Sequence, residues 1–251
     1  MEKQFKVLVA DGLAQEGIDI LKGHSHIDAT IKSKLSKEEL IEMIEPYDAL
    51  IIRSASKVTK EVLARAKNLK VIARAGTGYD NIDAEECTKR GIVVLITPTG
   101  NSNAVVELTL AMMLAFARKV PKANLTMTQG KWEKKALEGT ELKGKTAGII
   151  GFGRIGQGVA KRCKAFEMEV VAYDQFIPKK IADDAGVKLV NALDDLFAVA
   201  DYITIHVPFT ETTKNMIDAP QLAKMKKNVV IVNVARGGVV NEKALYESLG
   251  P

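Results

Sequence analysis

Six consecutive residues, GFGRIG from Gly151 to Gly156, have the types and spacing of a phosphate-binding turn. An apolar run, 146–150, precedes them, and a helix-like run, 157–166, follows. A second apolar run, 170–173, ends at Asp174, 18 residues past Gly156. Strand, glycine turn, helix, strand and acid is the order that dinucleotide binding requires. Each part has a physical task. Gly151 permits the tight turn, Gly153 lets the backbone approach a pyrophosphate, and Gly156 lets helix and strand pack closely. The helix N-terminus offers unpaired N–H groups and a positive dipole end to the phosphates. Asp174 can accept hydrogen bonds from both ribose hydroxyls and would repel a 2′-phosphate. Gln175 and Phe176 follow it with no adjacent Arg, which favours NAD over NADP. A glycine-rich turn alone is the bland alternative; the strand, helix and acid around it point to a dinucleotide.

Few other side chains are equipped for chemistry. Cys87 and Cys163 are the only cysteines and form no CxxC pair, which argues against a disulfide framework or structural zinc and fits a reducing cytosol. His24, His26 and His206 have no third or fourth ligand nearby in sequence, so no metal site is expected. The 251 residues suffice for one large domain or two modest ones, and 47% hydrophobic content supports a sizeable core. A net charge of +5 could suggest a polyanion partner, but the basic residues are scattered apart from short clusters such as 224–227. Small anionic ligands fit better than nucleic acid. The N-terminal MEKQFKVLVADG lacks a secretory hydrophobic core. The most apolar helical run, 104–117, contains Glu107 and is too short for a bilayer. A cytoplasmic protein with no membrane insertion is expected.

The elements that must position these residues alternate regularly. Strands are expected at 5–10, 27–31, 49–53, 70–73 and 92–95, with helices at 14–22, 36–44, 59–66 and 83–90 between them. Ser36 followed by Glu39 reads as a capping box, and Gly91 as a helix stop. Pro98 and Gly100 break the rhythm. A helix over 102–119 follows, apolar all round, so both of its faces should be buried between domains or at a subunit interface. Pro121 punctuates what comes next. Strands resume at 146–150, 169–173, 187–189, 202–206 and 229–234, with helices at 157–166, 181–185, 193–198, 219–224 and 242–249. Such alternation implies right-handed crossovers and parallel sheets covered by helices. Glu167 stands where Gly commonly closes a helix, at a cost of about 1 kcal/mol if that position is left-handed.

Several ordered blocks carry a resemblance: ARAGTGYDNID (73–83), GNSNAVVEL (100–108), GKWEKK (130–135), TELKGKTAGIIGFGRIG (140–156), AYD (172–174), ITIHVP (203–208) and NVARGGVVNE (233–242). The chain resembles the D-isomer-specific 2-hydroxyacid dehydrogenases along almost its whole length. The resemblance implies an α/β architecture of two doubly wound parallel-sheet domains. These are a flavodoxin-like substrate domain over 1–98 and a Rossmann NAD-binding domain over 145–251 lacking its last strands. An interdomain and dimerisation helix with its linker spans 99–144, and a homodimer or higher homo-oligomer is implied. The RAGTG and GNS blocks favour the branch that oxidises 3-phosphoglycerate to 3-phosphohydroxypyruvate with NAD, the opening step of serine biosynthesis.

The resemblance also implies roles. The substrate carboxylate meets backbone N–H groups near Ala75 and Gly76, where a glycine-rich turn can form an anion nest. Thr77 contacts the cofactor, and Asn101 positions the substrate. Arg53 and Arg74 follow strands, so they sit at strand carboxyl ends facing the interdomain cleft. They are candidates for the substrate phosphate, with ordinary surface arginines as the alternative. Arg154 and Ile155 offer N–H groups to the pyrophosphate, Val207 and Pro208 line the adenine pocket, and Val234 and Ala235 flank the nicotinamide. Arg236 holds the substrate carboxylate, lies against the cofactor, and polarises the reacting carbonyl. The family pairs that Arg with a Glu and a His from later strands. Neither stands in the sequence up to Pro251, so a C-terminally incomplete chain with impaired turnover is expected. Two alternatives stay open: a non-catalytic NAD(H)-binding module or fragment, and a reductase of glyoxylate, hydroxypyruvate or another D-2-hydroxyacid.

Overall fold

The computed structural model describes residues 4–250. The chain divides after Asn101 into two units. The first unit runs β1 (Phe5–Val9), α1 (Gln15–Lys22), β2 (Ile27–Ile31), α2 (Lys37–Met43), β3 (Ala49–Ile52), α3 (Lys60–Arg65), β4 (Val71–Arg74), α4 (Ala84–Lys89) and β5 (Val93–Ile96). Its strands are all parallel, in the order β2-β1-β3-β4-β5. This is the flavodoxin-like order, whose direction of winding reverses between the first and third strands. Alternate strand residues Leu8, Leu50, Ile52 and Ile72 form one core with Leu40, Ile44, Val62, Leu63 and Cys87 from the helices and their ends. Local signals hold here. Glu39 N–H donates to Ser36 Oγ and Ser36 N–H donates to Glu39 Oε2, completing the capping box at the start of α2. Gly91 closes α4 with φ +67°.

The second unit runs α5 (Ser102–Ala117), α6 (Val120–Thr128), a 3-10 turn (Lys134–Leu137), β6 (Thr146–Ile150), α7 (Arg154–Ala165), β7 (Glu169–Tyr173), α8 (Lys179–Asp184), β8 (Lys188–Val190), α9 (Leu193–Val199), β9 (Tyr202–Ile205), α10 (Ala219–Leu222), β10 (Val230–Asn233) and α11 (Glu242–Leu249). The parallel order is β10-β9-β6-β7-β8. Counted from β6, this is the 3-2-1-4-5 order of the dinucleotide-binding fold, with the switch between β6 and β9. Ala147, Ile149, Val170 and Ala172 share a core with Val106, Leu110 and Met113 of α5 and with Val159, Ala160 and Cys163 of α7. Ile150, Val171, Ile203 and Ile205 share the opposite core with Leu196 and Phe197 of α9. β10 forms an edge of the sheet.

Two expectations change, and a third, the burial of both faces of α5, is met only in part within one chain. The helix after the glycine turn begins at Arg154, three residues earlier than expected, so Gly156 lies inside it. The segment beyond Pro121 is a helix, because a proline in the first turn lacks only an N–H that would be unpaired anyway. Finally, α5 does not bury both faces within the chain. Val106, Thr109, Leu110, Met113 and Ala117 are buried, whereas Leu108, Met112 and Phe116 are exposed. Glu167 does adopt the left-handed conformation, with φ +57°.

Candidate cofactor and substrate sites

In the second unit the sequence motifs converge on the carboxyl ends of β6, β7, β9 and β10. Gly151 turns the chain with φ +91°, donates its N–H to Tyr173 O at 2.9 Å, and faces His206 O, which a Cβ would approach to 2.7 Å. Gly153 caps α7 in extended conformation with no side-chain cap, and a Cβ there would meet nothing within 4 Å. The N–H groups of Arg154 and Ile155 therefore open α7 beside clear space. Gly156 is buried, and a Cβ on it would strike Gly151 O. That collision explains the third glycine: the helix start is pressed against the turn.

Asp174 follows β7 and is tied to the same turn. Its Oδ2 accepts from Phe152 N–H at 2.7 Å, and its Oδ1 accepts from Phe176 N–H at 2.8 Å and Ile177 N–H at 3.2 Å. A carboxylate offers about four acceptor positions, so roughly one remains. The N–H of the glycine turn and the two N–H groups of its own loop thus share this carboxylate with any ribose hydroxyl it receives. Val207 and Pro208 follow β9. Thr213 Oγ1 donates to Pro208 O at 2.6 Å, which secures that turn. The His206 side chain is partly exposed, but its Nε2 is buried without a hydrogen-bond partner among the described residues. Burial pushes its pKa down to about 4. After β10, Asn233 organises the turn that carries Val234, Ala235 and Arg236. Its Oδ1 accepts from Ala235 N–H at 3.1 Å and its Nδ2 donates to Arg236 O at 2.9 Å. Arg236 Nη1 donates to Ala235 O at 2.9 Å.

The first unit assembles its own set at the ends of β1, β3 and β4. Arg53 and Arg74 end neighbouring strands, with Ile52 opposite Arg74 in register. Neither guanidinium has a carboxylate within ion-pair distance among the described residues. Ala75 N–H donates to Ile52 O at 2.9 Å and Gly76 N–H to Arg74 O at 2.8 Å, so both expected nest donors are engaged within the chain. Thr77 Oγ1 donates to Asn101 Oδ1 at 2.5 Å, joining two of the expected site residues. Sequence reasoning missed three residues here: Asp11, Ser56 and Asn81. Asp11 is buried and accepts from Arg53 N–H at 2.7 Å and from Ser56 Oγ at 2.6 Å. Asn81 lies within the ARAGTGYDNID block, which was a signal, but nothing local says what it touches.

Residues 110–250 match the family described as D-isomer specific 2-hydroxyacid dehydrogenase, NAD binding domain. The chain belongs to the D-isomer-specific 2-hydroxyacid dehydrogenases. Its cofactor is NAD, and the turn fits that group: an open approach at Gly153, an uncapped helix start, and an acid held at the end of β7. Similar family members include the D-3-phosphoglycerate dehydrogenase of Methanocaldococcus jannaschii, 49% identical over 97% of this chain and 46% of its own length. The enzyme of the same name from Archaeoglobus fulgidus is 50% identical with the same coverage. The chain thus spans about half the length of these curated relatives. A hydroxypyruvate reductase of Thermotoga maritima is 47% identical over 98% of this chain and 79% of its own length. Among solved structures, the D-lactate dehydrogenase of Aquifex aeolicus, complexed with NAD and lactic acid, superposes with TM-score 0.88 at 28% identity, covering 97% of this chain and 73% of that one. A glyoxylate reductase of Paecilomyes thermophila gives TM-score 0.88 at 29% identity, covering 99% and 78%. Among the described residues of this family member, no helix is long and apolar enough to cross a membrane, and no His, Cys, Asp and Glu group could hold a metal.

Proposed function

We propose that this chain belongs to an NAD-dependent dehydrogenase of a phosphorylated D-2-hydroxyacid, converting 3-phospho-D-glycerate to 3-phosphohydroxypyruvate at the start of serine biosynthesis. The observation that carries the reading is the pair Arg53 and Arg74, placed at the carboxyl ends of the neighbouring strands β3 and β4, whose guanidiniums have no carboxylate partner among the described residues. Guanidinium forks suit a phosphate dianion. The substrate carboxylate lies beyond Ala75 and Gly76, whose own N–H groups are engaged, and Thr77 and Asn101 position the molecule. On the cofactor side, Gly151, Gly153, Gly156 and the N–H groups of Arg154 and Ile155 hold the pyrophosphate. Asp174 takes one ribose hydroxyl, Val207 and Pro208 line the adenine, and Val234 and Ala235 border the nicotinamide. NAD, when bound, accepts the hydride.

Arg236 holds the reacting anion but cannot take the hydroxyl proton, because a guanidinium offers N–H donors only and no acceptor. His206 is a weak base at neutral pH, since burial pulls its pKa to about 4. His24 and His26 are exposed in the first unit, before and at the turn into β2. This 251-residue chain is therefore expected to bind NADH with little turnover. The test is an NADH fluorescence titration with 3-phosphoglycerate oxidation read in the same cuvette. Binding without turnover supports the reading. Robust turnover overturns the missing-base argument, and absent binding overturns the cofactor assignment.

The hydroxypyruvate reductase relative favours one second reading, an unphosphorylated hydroxyacid. Equal weakening of phosphorylated and unphosphorylated acids by Arg74→Ala would select it. A homodimer, formed in the cytoplasm through the exposed apolar face of α5, completes the proposal.

A further inference from the structure

We infer that Asn81 is a positioning residue that sets both arginines for a phosphate group and so governs the preference for phosphorylated over unphosphorylated hydroxyacids. The inference rests on the reading that Arg53 and Arg74 receive that phosphate. The Asn81 side chain hydrogen-bonds to both arginine residues. Its Oδ1 accepts from Arg74 Nε at 3.0 Å, and its Nδ2 donates to Arg53 O at 2.8 Å and Ser56 O at 2.7 Å. The amide orientation follows from its partners: one face meets an N–H donor and the other meets two carbonyl oxygens.

The other ends of this network are also fixed. Asp11, buried at the end of β1, accepts from Arg53 N–H at 2.7 Å, Ser56 N–H at 3.1 Å and Ser56 Oγ at 2.6 Å. The 53–56 loop is thereby held from β1 on one side and by Asn81 on the other. Val58 N–H donates to Asn81 O at 2.8 Å, which anchors the Asn81 backbone as well. The Arg74 guanidinium lies over Gly76, where a Cβ would strike Nη1. Glycine at 76 and the amide at 81 together confine the guanidinium. With Nε–H engaged by Asn81, the two Nη groups remain as the fork for an anion.

The chemistry of residue 81 matters as much as its place. Its amide holds the guanidinium without adding charge. An aspartate there would keep the bond to Nε, but it would neutralise the arginine and set a carboxylate against two carbonyl oxygens. An alanine would release Nε and the 53–56 carbonyls together. Losing a hydrogen bond that orients a charged group is worth on the order of 10- to 100-fold in binding. Asn81→Ala is therefore expected to weaken binding of 3-phosphoglycerate roughly 10- to 100-fold and to leave D-glycerate within about threefold.

The experiment is calorimetry of 3-phosphoglycerate and D-glycerate on this chain in the presence of NADH. Parent, Arg74→Ala, Asn81→Ala, Asn81→Asp and the Arg74→Ala/Asn81→Ala double variant are compared. Selective loss of the phosphorylated ligand in both single alanine variants, with the double variant little worse than Arg74→Ala, supports the inference through their coupling. If Asn81→Ala unfolds, the same selective loss in the isosteric Asn81→Asp carries the test. Selective loss in Arg74→Ala but equal effects on both ligands in the Asn81 variants overturns the inference and leaves the phosphate reading standing. Equal weakening of both ligands in Arg74→Ala, or no 3-phosphoglycerate binding to the parent, overturns both.

Discussion

Gly153 and Gly156 stand three residues apart, and replacing each with alanine separates folding from cofactor binding. At Gly156 the added methyl would fall on Gly151 O and come within 3.2 Å of Ile149 Cγ2. Neither neighbour yields cheaply: Gly151 is held at φ +91° with its N–H bonded to Tyr173 O, and Ile149 is fully buried. Overpacking of this kind costs about 1–3 kcal/mol, and the better helix propensity of alanine returns at most about 1 kcal/mol. Gly156→Ala should therefore lose about 1–2 kcal/mol of stability. At Gly153 the backbone is extended, with φ −72° and ψ −159°, and the methyl would meet open space. Alanine is the poorer helix cap by up to about 1 kcal/mol, while the reduced freedom of its unfolded chain returns about 0.4–1 kcal/mol. Gly153→Ala should fold like the parent. If the pyrophosphate lies against that backbone, the methyl should still weaken NADH by at least about tenfold, or about 1.4 kcal/mol. Urea unfolding followed by circular dichroism reads the first quantity, and NADH fluorescence titration reads the second. A Gly153→Ala chain that binds NADH as the parent does would refute the placement of the pyrophosphate. A Gly156→Ala chain of parental stability would refute the close approach of helix and turn.

Four further outcomes are expected. The His206 imidazole ordinarily titrates near 6.5 and is held at about 4 by burial, so the unfolded chain takes up its proton first as pH falls. Stability from this group is present above pH 6.5 and lost as pH falls through about 4, up to about 3 kcal/mol; urea unfolding of parent and His206→Asn at pH 7.5 and 4 should diverge by that order, and identical pH dependence would disprove it. Glu167→Gly should raise stability by about 0.5–1 kcal/mol by relieving a left-handed side-chain position, since the exposed Lys143 pair it removes contributes little; a lower urea midpoint would count against this. Asp174→Ala strips the acceptor from the N–H groups of Phe152, Phe176 and Ile177, so a stability loss of about 1–3 kcal/mol should accompany a fallen preference for NADH over NADPH in paired titrations; an unchanged preference would remove Asp174 from the ribose. Phe116→Glu, at the C-terminal end of the exposed α5 face, should shift sedimentation from dimer to monomer, and a parent that is already monomeric would end the dimer proposal.

What was legible in the sequence was local. β2, β6, β7 and α11 lie where their β-branched runs and caps put them, because strand alternation and helix capping act over a few neighbouring residues. The same holds for the Ser36–Glu39 box, the Gly91 stop and the left-handed Glu167. The glycine turn was legible too, since its parts are consecutive. Its division was not: whether Arg154 begins a helix depends on Gly156 fitting against Gly151. The α6 helix was hidden by Pro121, which is a breaker in a helix interior and harmless in a first turn.

The functional surroundings were decided in three dimensions. Asp11, Arg53, Ser56, Arg74 and Asn81 meet because β1, β3 and β4 are adjacent in the sheet. No residue spacing announces that adjacency. Strand order also engages the Ala75 N–H with Ile52, and tertiary approach leaves Asp174 roughly one free acceptor position. The sequence by itself determined the residue types, the βα rhythm, the family and the cofactor turn. Which polar groups remain free to meet a ligand was decided only by tertiary structure, because a hydrogen bond is satisfied by whatever the fold brings within 3 Å or so, however far away in the chain.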